Sequence, residues 1–371
     1  MGALSGIKVA DFSRVLAGPY ATMMLADMGA TVTKIERKGV GDDTRHWAPP
    51  VTDSGISTYF ASVNRNKNTV ALDLRDPDDL ATARDLIAEA DVVIENFRPG
   101  TMDKLGLGFD AARELNPAVV YASLSGFGSG AGRDLGGYDL VVQAMGGLMS
   151  ITGPSPDEPT KAGVALIDVL TGLHLGMGIL AALHHRDANP DSGGRGQHIE
   201  INLLSTALSS LVNQASAYLN AGVIGVAQGN KHPSIAPYEV FRTADGSIAI
   251  AAGNDSLYQA LCRCMDREDL ATEPRFATNS SRVMHRLDLV AELEHTLGTK
   301  TSKEWFALLR EAGVPAGPVN NVADAFAFAE AEGLAPIVDI DGEKSVRNPI
   351  SFSETPVEYR TPPQPLPGTE G

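Results

Sequence analysis

The 371-residue chain has only two cysteines, Cys262 and Cys264, one residue apart. A disulfide framework is excluded, and so is a structural zinc site, because no His or Cys pair lies beside them at ligand spacing. They read as ordinary thiols of a reducing cytoplasm. Cations are also short: 30 Lys and Arg stand against 46 Asp and Glu, giving a formal charge of −16. That balance argues against nucleic acid or an anionic membrane as partner, but leaves room for a small anion held by a local basic cluster. The first residues, MGALSGIKVADF, lack the basic and apolar segments of a secretory leader. Position 6 is glycine, where a myristoylation signal has Ser or Thr. The longest apolar run is interrupted by Asp168, Thr171 and His174, so it reads as a buried helix rather than a membrane span. The sequence contains no G-x-G-x-x-G in its first βα turn, no Walker A motif, no HExxH and no GxSxG. No metal site is expected, and no permanently bound cofactor.

What is present is the composition of a globular protein, 43% hydrophobic and 20% charged, with length for about two domains. The first third alternates two periodicities. IKVADF (7–12), ATVTKIER (30–37), TVALDLR (69–75), DVVIENF (91–97) and AVVYASLS (118–125) are strand-like. Between them lie helical AGPYATMMLADMG (17–29), the acid-led amphipathic helix 76–90 with Leu80, Ala83, Leu86 and Ile87 on one side, and a short helix FDAARELN. This rhythm predicts an α/β fold with a doubly wound, Rossmann-like parallel sheet that binds ligands at its strand C-termini. From Gly126 the texture changes. GFGSGAGRDLGG is a glycine-rich segment that reads as a mobile loop more readily than as a phosphate cradle, and YDLVVQAMGGLM is helical. Residues 197–222 read as a strand running into one long helix. YEVFRTADGSIAIAAG (238–253) reads as a hairpin turning at Ala244-Asp245-Gly246. Helical segments around 255–266, 283–297 and 301–312 complete a smaller α+β unit, and the proline-rich tail from Asn348 is extended. The expected division is a large domain over 1–200, a linker helix over 201–228, a small domain over 229–330 and a return segment over 331–371.

Two features carry candidate chemistry. The stretch KAGVALIDVLTGLHLGMGILAALHH (161–185) is almost wholly apolar, yet holds one acid, Asp168, near its start. A carboxylate in such a run costs several kcal/mol unless it is hydrogen-bonded or used. The residues alone leave it equally readable as a helix-opening acid that suits the dipole or as a catalytic acid. Glycines at 172, 176 and 178 are expected to let another backbone pack closely. The second feature is a set of cations at or just past strand ends, Arg37, Lys38, Arg75, Arg98 and Lys104, as a phosphate-bearing ligand would need.

The blocks VADFSRVLAGPYATMMLADMGATVTKIER, NRNKNTVALDLRDP, ENFRPGTMDKLGLG, GYDLVVQAMGGLMSITG, AGVALIDVLTGLHLGMGILAAL, GRGQHIEINLL and PSIAPYEVFRTADGSIAIAAGN resemble, in order, the class III CoA-transferases. This family includes formyl-CoA transferase and succinyl-CoA:glutarate (hydroxymethylglutarate) CoA-transferase. The likeness runs from about residue 6 to 321. It implies an enzyme that moves CoA from an acyl-CoA to a small carboxylic acid, and a cytoplasmic homodimer of two interlocked chains. By resemblance Asp168 is the nucleophile, forming first an acyl-aspartyl anhydride and then an aspartyl-CoA thioester, while Tyr138 and Asp139 lie near the acyl group. Arg37, Leu72, Arg75, Asn96, Phe97 and Lys104 fall on CoA-contacting positions. Leu16 stands where formyl-CoA transferase has a glutamine, and GNKHPSIAP (229–237) replaces its glycine-rich loop, so Leu16 and Ala17 are expected at an acyl site nearer the succinyl-CoA:dicarboxylate branch. Arg14 or Arg45 then either holds the distal carboxylate of a dicarboxylate or makes a structural ion pair. The family continues past PLPGTEG into a final helix, where this sequence stops at Gly371. Two alternatives stand beside transfer. An α-methylacyl-CoA racemase needs two acid/base groups, and no histidine lies between His46 and His174 to provide one. The other is a non-catalytic CoA-binding protein.

Overall fold

The computed structural model describes residues 1–189 and 194–368, with eleven strands and fifteen α-helices among them. The strands are β1 (Lys8–Asp11), β2 (Thr31–Arg37), β3 (Lys67–Leu72), β4 (Val92–Glu95), β5 (Val120–Ser125), β6 (His198–Asn202), β7 (Tyr238–Arg242), β8 (Ser247–Ala251), β9 (Ala316–Pro318), β10 (Ile337–Ile340) and β11 (Glu343–Val346). The helices through residue 221 are α1 (Ala17–Asp27), α2 (Thr58–Ala61), α3 (Pro77–Glu89), α4 (Thr101–Lys104), α5 (Phe109–Leu115), α6 (Asp139–Met145), α7 (Leu166–Ala188), α8 (Leu203–Ser210) and α9 (Val212–Ala221). Six more follow: α10 (Asp255–Cys264), α11 (Glu268–Thr272), α12 (Asn279–Met284), α13 (Arg286–Leu297), α14 (Ser302–Glu311) and α15 (Val322–Ala331).

Two compact units result. One is formed by residues 1–149, 161–225 and the chain from 335 onward; the other by 150–160 and 226–334. In the first, β1 to β6 form a parallel sheet in the order β3-β2-β1-β4-β5-β6, the doubly wound order that reverses between β1 and β4. Strand side chains alternate between two cores, as period-2 geometry requires. Val92 and Ile94 of β4 and Val120, Ala122 and Leu124 of β5 face α1 and α7, where Leu25, Leu175 and Ile179 close the layer. Val93 and Tyr121 face the other way, toward Ala83 and Ile87 of α3 and Ala112 of α5. Helix α3 starts where the sequence places it: Asp76 accepts from the Asp78 and Asp79 amides and Pro77 occupies the first turn.

Close approach on the first face depends on one glycine. A Cβ at Gly172 of α7 would lie 2.6 Å from the Ala17 carbonyl oxygen, so α7 packs backbone to backbone against the start of α1. The other two glycines do not share that duty. Gly176 faces open space, and a Cβ on Gly178 would make an ordinary contact with Ile199. Helix α7 is long and apolar enough to cross a membrane by length and composition, but one side of it lies in the sheet core and the other, with Leu173, Met177 and Leu180, is open. The single helix expected after β6 is two helices, broken where Val212 takes φ 37°, a left-handed value that β-branched residues rarely adopt. The extended tail folds back on the first unit: Glu358 N–H donates to the Asp27 carbonyl, and the Arg360 guanidinium to the carbonyls of Ala26 and Ala30.

The second unit packs the antiparallel sheet β7-β8-β9 against α10, α11, α13 and α14 around Phe241, Ile250, Tyr258, Leu261 and Trp305. The hairpin turns at 243–246, as its Ala-Asp-Gly signal requires. The helix read over 283–297 is divided at His285 between α12 and α13.

Candidate active site

The turn from β1 into α1 is held atom by atom. Val15 sits at φ 69°, a strained conformation for a β-branched residue, and the backbone leading into it is held by side chains from other elements. Ser13 N–H donates to Asp11, the Ser13 carbonyl accepts from Lys34 Nζ at 2.9 Å, and Val15 N–H donates to Asp42. The Asn96 side chain brackets Arg14, accepting from its N–H at 2.8 Å and donating to its carbonyl at 2.7 Å. Beneath the turn lies a buried ionic lattice of three cations and three carboxylates. Lys67 meets Asp11, Lys34 meets Asp42, and Arg45 meets Glu36 through two contacts of 2.7 Å. Burial alone would raise the Asp11 carboxyl, but Lys67 and Lys34 hold it below the ordinary range. Burial outweighs Asp11 at Lys67 and lowers that ammonium to about 8. Full pairing is what makes such a lattice tolerable, since removing one partner leaves a buried charge uncompensated.

Asp168 occupies the third position of α7. The residue at the N-cap, Ala165, has no side chain to cap with, and Asp139 at the start of α6 does the work instead. Its Oδ1 accepts from Ile167 N–H at 2.8 Å and from Asp168 N–H at 3.2 Å, and Oδ2 accepts from Gln143 Nε2 at 2.5 Å. Gln143 in turn accepts from Ala162 N–H at 2.9 Å. Two of the orphan amides at the helix start are therefore satisfied by an anion from another helix. The consequence for Asp168 is chemical: burial, and secondly the Asp139 charge, push its carboxyl up to about 7. Among the described residues no donor reaches the Asp168 carboxylate itself. It is a partly buried, unpaired carboxylate at a cleft wall, with lone pairs free to react.

That cleft, about 280 Å³, brings together Arg14, Leu16, Ala17, Asn96, Tyr138 and Asp168. Tyr138 is 63% exposed, with its ring at the mouth. A second cleft of about 380 Å³ lies at the C-terminal ends of β2 and β3 and gathers Arg37, Leu72, Arg75 and Phe97, four of the six positions that resemblance associates with CoA. Arg14, Asp43 and Phe97 line both clefts, which are therefore neighbours. Asn96 lies in the Asp168 cleft with its amide committed to Arg14, and Lys104 is exposed on α4 beside Leu105, which lines the second cleft. Asp139 is buried behind the site and lines neither cleft. The two arginines considered for a distal carboxylate separate. Arg14 lines the cleft with an exposed pair to Asp43 at 3.3 Å, whereas Arg45 is stacked on Phe60 and clamped to Glu36. Arg45 has the geometry of the structural ion pair.

A sequence model described as CoA-transferase family III covers residues 4–370. The chain belongs to that family. It is 41% identical over 374 residues to a succinate–glutarate CoA-transferase of Agrobacterium fabrum, covering 97% of this chain and 92% of the relative. It is 44% identical over 377 residues to an acyl-CoA transferase of Fusarium pseudograminearum, covering 98% and 82%. Among solved structures, a CaiB/BaiF family protein from Brucella suis matches with a TM-score of 0.89 at 40% identity, covering 98% of this chain and 96% of that one. The family III CoA-transferase fold thus accounts for the six-stranded parallel sheet and the chain that leaves and re-enters the first unit.

Sequence reasoning missed two parts of this site. One is the lattice of Asp11, Lys34, Asp42 and Lys67; its signal was charged residues inside otherwise apolar strands, in KVAD and TVTKIE. The other is Tyr59 on α2, packed edge-on against Trp47 with ring centroids 4.9 Å apart. Burial and then the charges of Asp168 and Asp139 raise its phenol, which places Tyr59 within electrostatic reach of Asp168. Nothing in the local pattern of TYFA distinguishes this tyrosine from a core aromatic.

Proposed function

We propose that this enzyme transfers CoA from an acyl-CoA, with succinyl-CoA as the first donor to try, to a small carboxylic or dicarboxylic acid, with Asp168 as nucleophile. The observation that carries the reading is the unpaired Asp168 carboxylate, raised to about 7, in a cleft that adjoins the cationic strand-edge cleft. Acyl-CoA would lie across both clefts, its phosphates toward Arg37 and Arg75 and its pantetheine passing Phe97. The succinate–glutarate relative and Arg14 at the cleft wall support a dicarboxylate acid.

In the first step an Asp168 oxygen adds to the thioester carbonyl, the C–S bond breaks, and CoA leaves as a thiolate beside a mixed anhydride. The thiolate then adds to the Asp168 carbonyl carbon, releasing the donor acid and leaving an aspartyl-CoA thioester. The incoming carboxylate attacks that thioester, expels the thiolate and forms a second anhydride. Thiolate attack on the acceptor's carbonyl gives the new acyl-CoA and restores Asp168. Each intermediate is energy-rich, so the steps are reversible and water must be kept out. An acid with its pKa near the working pH is more basic than an ordinary aspartate and still ionised in about half of the molecules at pH 7. Tyr138 and Tyr59 are suited to donate to the developing oxyanions, and Asp139 acts through the α7 start rather than on substrate. The reading includes the homodimer, its interlocking and a cytoplasmic location; the open apolar side of α7 supports a second chain there.

The test is Asp168→Ala incubated with succinyl-CoA and a panel of carboxylic acids, read by mass spectrometry. Transfer should vanish while CoA binding persists. Near-normal transfer by the variant would refute the mechanism.

A further inference from the structure

One buried polar atom beside the reactive carboxylate has no structural duty. Thr171 of α7 is fully buried, and among the described residues its Oγ1 is the only buried side-chain nitrogen or oxygen without a hydrogen-bond partner. A helical hydroxyl ordinarily satisfies itself by donating to the carbonyl three or four residues back. Thr82 and Thr206 do so at 3.1 Å and Ser210 at 2.8 Å. Thr171 donates to neither the Ile167 nor the Asp168 carbonyl. An orphaned hydroxyl costs stability that a valine of the same shape would not, so a residue of this type here calls for a partner in another state of the site.

Thr171 lies three residues after Asp168, on the face of α7 that also carries Gly172 and Leu175. Side chains at that spacing are neighbours, and helical side chains lean toward the helix start, which tilts Thr171 toward Asp168. Gly172, seated on the Ala17 carbonyl oxygen, fixes this turn of the helix. One step of χ1 to another staggered well redirects Oγ1 without moving the backbone. The Asp168 carboxylate also lacks a donor, so two unsatisfied groups of opposite kind stand one turn apart.

We propose that Thr171 is a positioning residue for Asp168: its hydroxyl turns to donate to the carboxylate when Asp168 is ionised and lets go when that side chain is acylated. A charged oxygen is the stronger acceptor, and an acylated one the weaker. The bond holds one oxygen of the nucleophile and leaves the other free to attack. The inference rests on the reading of Asp168 as nucleophile. Other groups around Asp168 are Asp139 of α6 and Tyr59 of α2, with Arg14, Asp43, Arg98, Arg133 and Tyr138 sharing its cleft. Helix α1 brings Tyr20 against the same turn of α7, and α8, also packed on α7, carries no titratable side chain. All of these remain in a Thr171 variant, so a change in the titration of Asp168 reports the hydroxyl.

The test measures urea unfolding of wild type, Thr171→Val and Thr171→Ser at pH 5 and pH 8, alone and in the Asp168→Asn background. Thr171→Val should raise the midpoint at pH 5, where the hydroxyl has no charged acceptor, and lose or reverse that gain at pH 8. With asparagine at 168 its effect should be the same at both pH values, and Thr171→Ser, which keeps the hydroxyl, should show no such pH dependence. Transfer from succinyl-CoA is followed from pH 6 to pH 9. Loss of a hydrogen bond to the ionised form moves the limb up by about one pH unit, so Thr171→Val should fall about tenfold at pH 6 and return to within twofold of wild type at pH 9. Serine should keep the limb where it is. An effect of Thr171→Val on stability that is equal at pH 5 and pH 8 overturns the proposal and leaves the transfer reading standing. A stability effect that follows pH while the rate limb stays unmoved upholds the bond and sinks Asp168 as the nucleophile. A wild type that transfers to no acid sinks the transfer reading, and the unfolding comparison still decides the role of Thr171.

Discussion

Replacing Asp168 by asparagine should destroy the activity and strengthen the fold, and by an amount that depends on pH in a defined way. In the folded chain burial and the Asp139 charge raise this carboxyl from 3.8 to about 7. Because the folded pKa lies above the unfolded one, the folded chain holds the proton longer, and stability falls as pH rises from 3.8 toward 7 and then levels off. Worked from those two values at 1.36 kcal/mol per unit, the penalty is about 2 kcal/mol at pH 5 and about 4 kcal/mol at pH 8. An asparagine has no such titration. Its effect on packing is the same at both pH values, whereas the charge–dipole interaction at the α7 start, worth up to about 1 kcal/mol, is lost only where Asp168 is ionised, at pH 8. The gain in stability of Asp168→Asn over wild type should therefore be about 1.5–2.5 kcal/mol larger at pH 8 than at pH 5. Urea unfolding of both proteins at the two pH values measures it, with α7 in the core of the first unit so that the signal follows that unit. If the Asp–Asn difference were the same at both pH values, the carboxylate would not be destabilised in the fold. The account of a tuned nucleophile would then fail, whatever the variant's activity.

The same electrostatics predict the rate. Transfer should rise with pH through about 7 as Asp168 ionises. In Asp139→Asn that limb should move to lower pH while staying above the ordinary aspartate value, because burial is the larger cause and remains; an unmoved limb would remove Asp139 from the tuning of the site. Gly172→Ala places a Cβ 2.6 Å from the Ala17 oxygen and should cost about 1–3 kcal/mol in thermal or urea unfolding. Gly176→Ala, with nothing within 4 Å, should be neutral or gain up to about 1 kcal/mol from helix propensity. An equal loss at both positions would refute the assignment of close packing to Gly172 alone and would point to another surface seated on that side of α7.

The parts of this molecule that could be read in advance are those encoded by local repetition. Apolar strands such as VVIE, the acid-capped helix after Asp76 and the apolar run of α7 each state their structure locally, and their order implies the doubly wound sheet. Asp168 was visible because it breaks such a pattern. What could not be read is what depends on partners far along the chain. Arg45 and Arg14 look alike in sequence, and only the fold clamps one to Glu36 and leaves the other at the cleft. Asp139 lies 29 residues before Asp168, and its place under the α7 start follows from the packing of α6, not from either segment alone. Val15 would be called a poor choice for a left-handed position by any local rule, yet Asp42, Lys34 and Asn96 hold the turn around it closed.

These unreadable contacts share one purpose, which explains why they sit together. On the proposed mechanism, a carboxylate nucleophile whose intermediates are an anhydride and a thioester gains nothing from a mobile site, because each moment of exposure to water loses the acyl or CoA group to hydrolysis. The strained turn before α1, the buried lattice beneath it and the cross-helix cap on α7 all fix backbone around Asp168. Local sequence preferences are overridden where the chemistry needs rigidity, and the stability lost there is supplied by a fully paired ionic lattice and two apolar sheet faces.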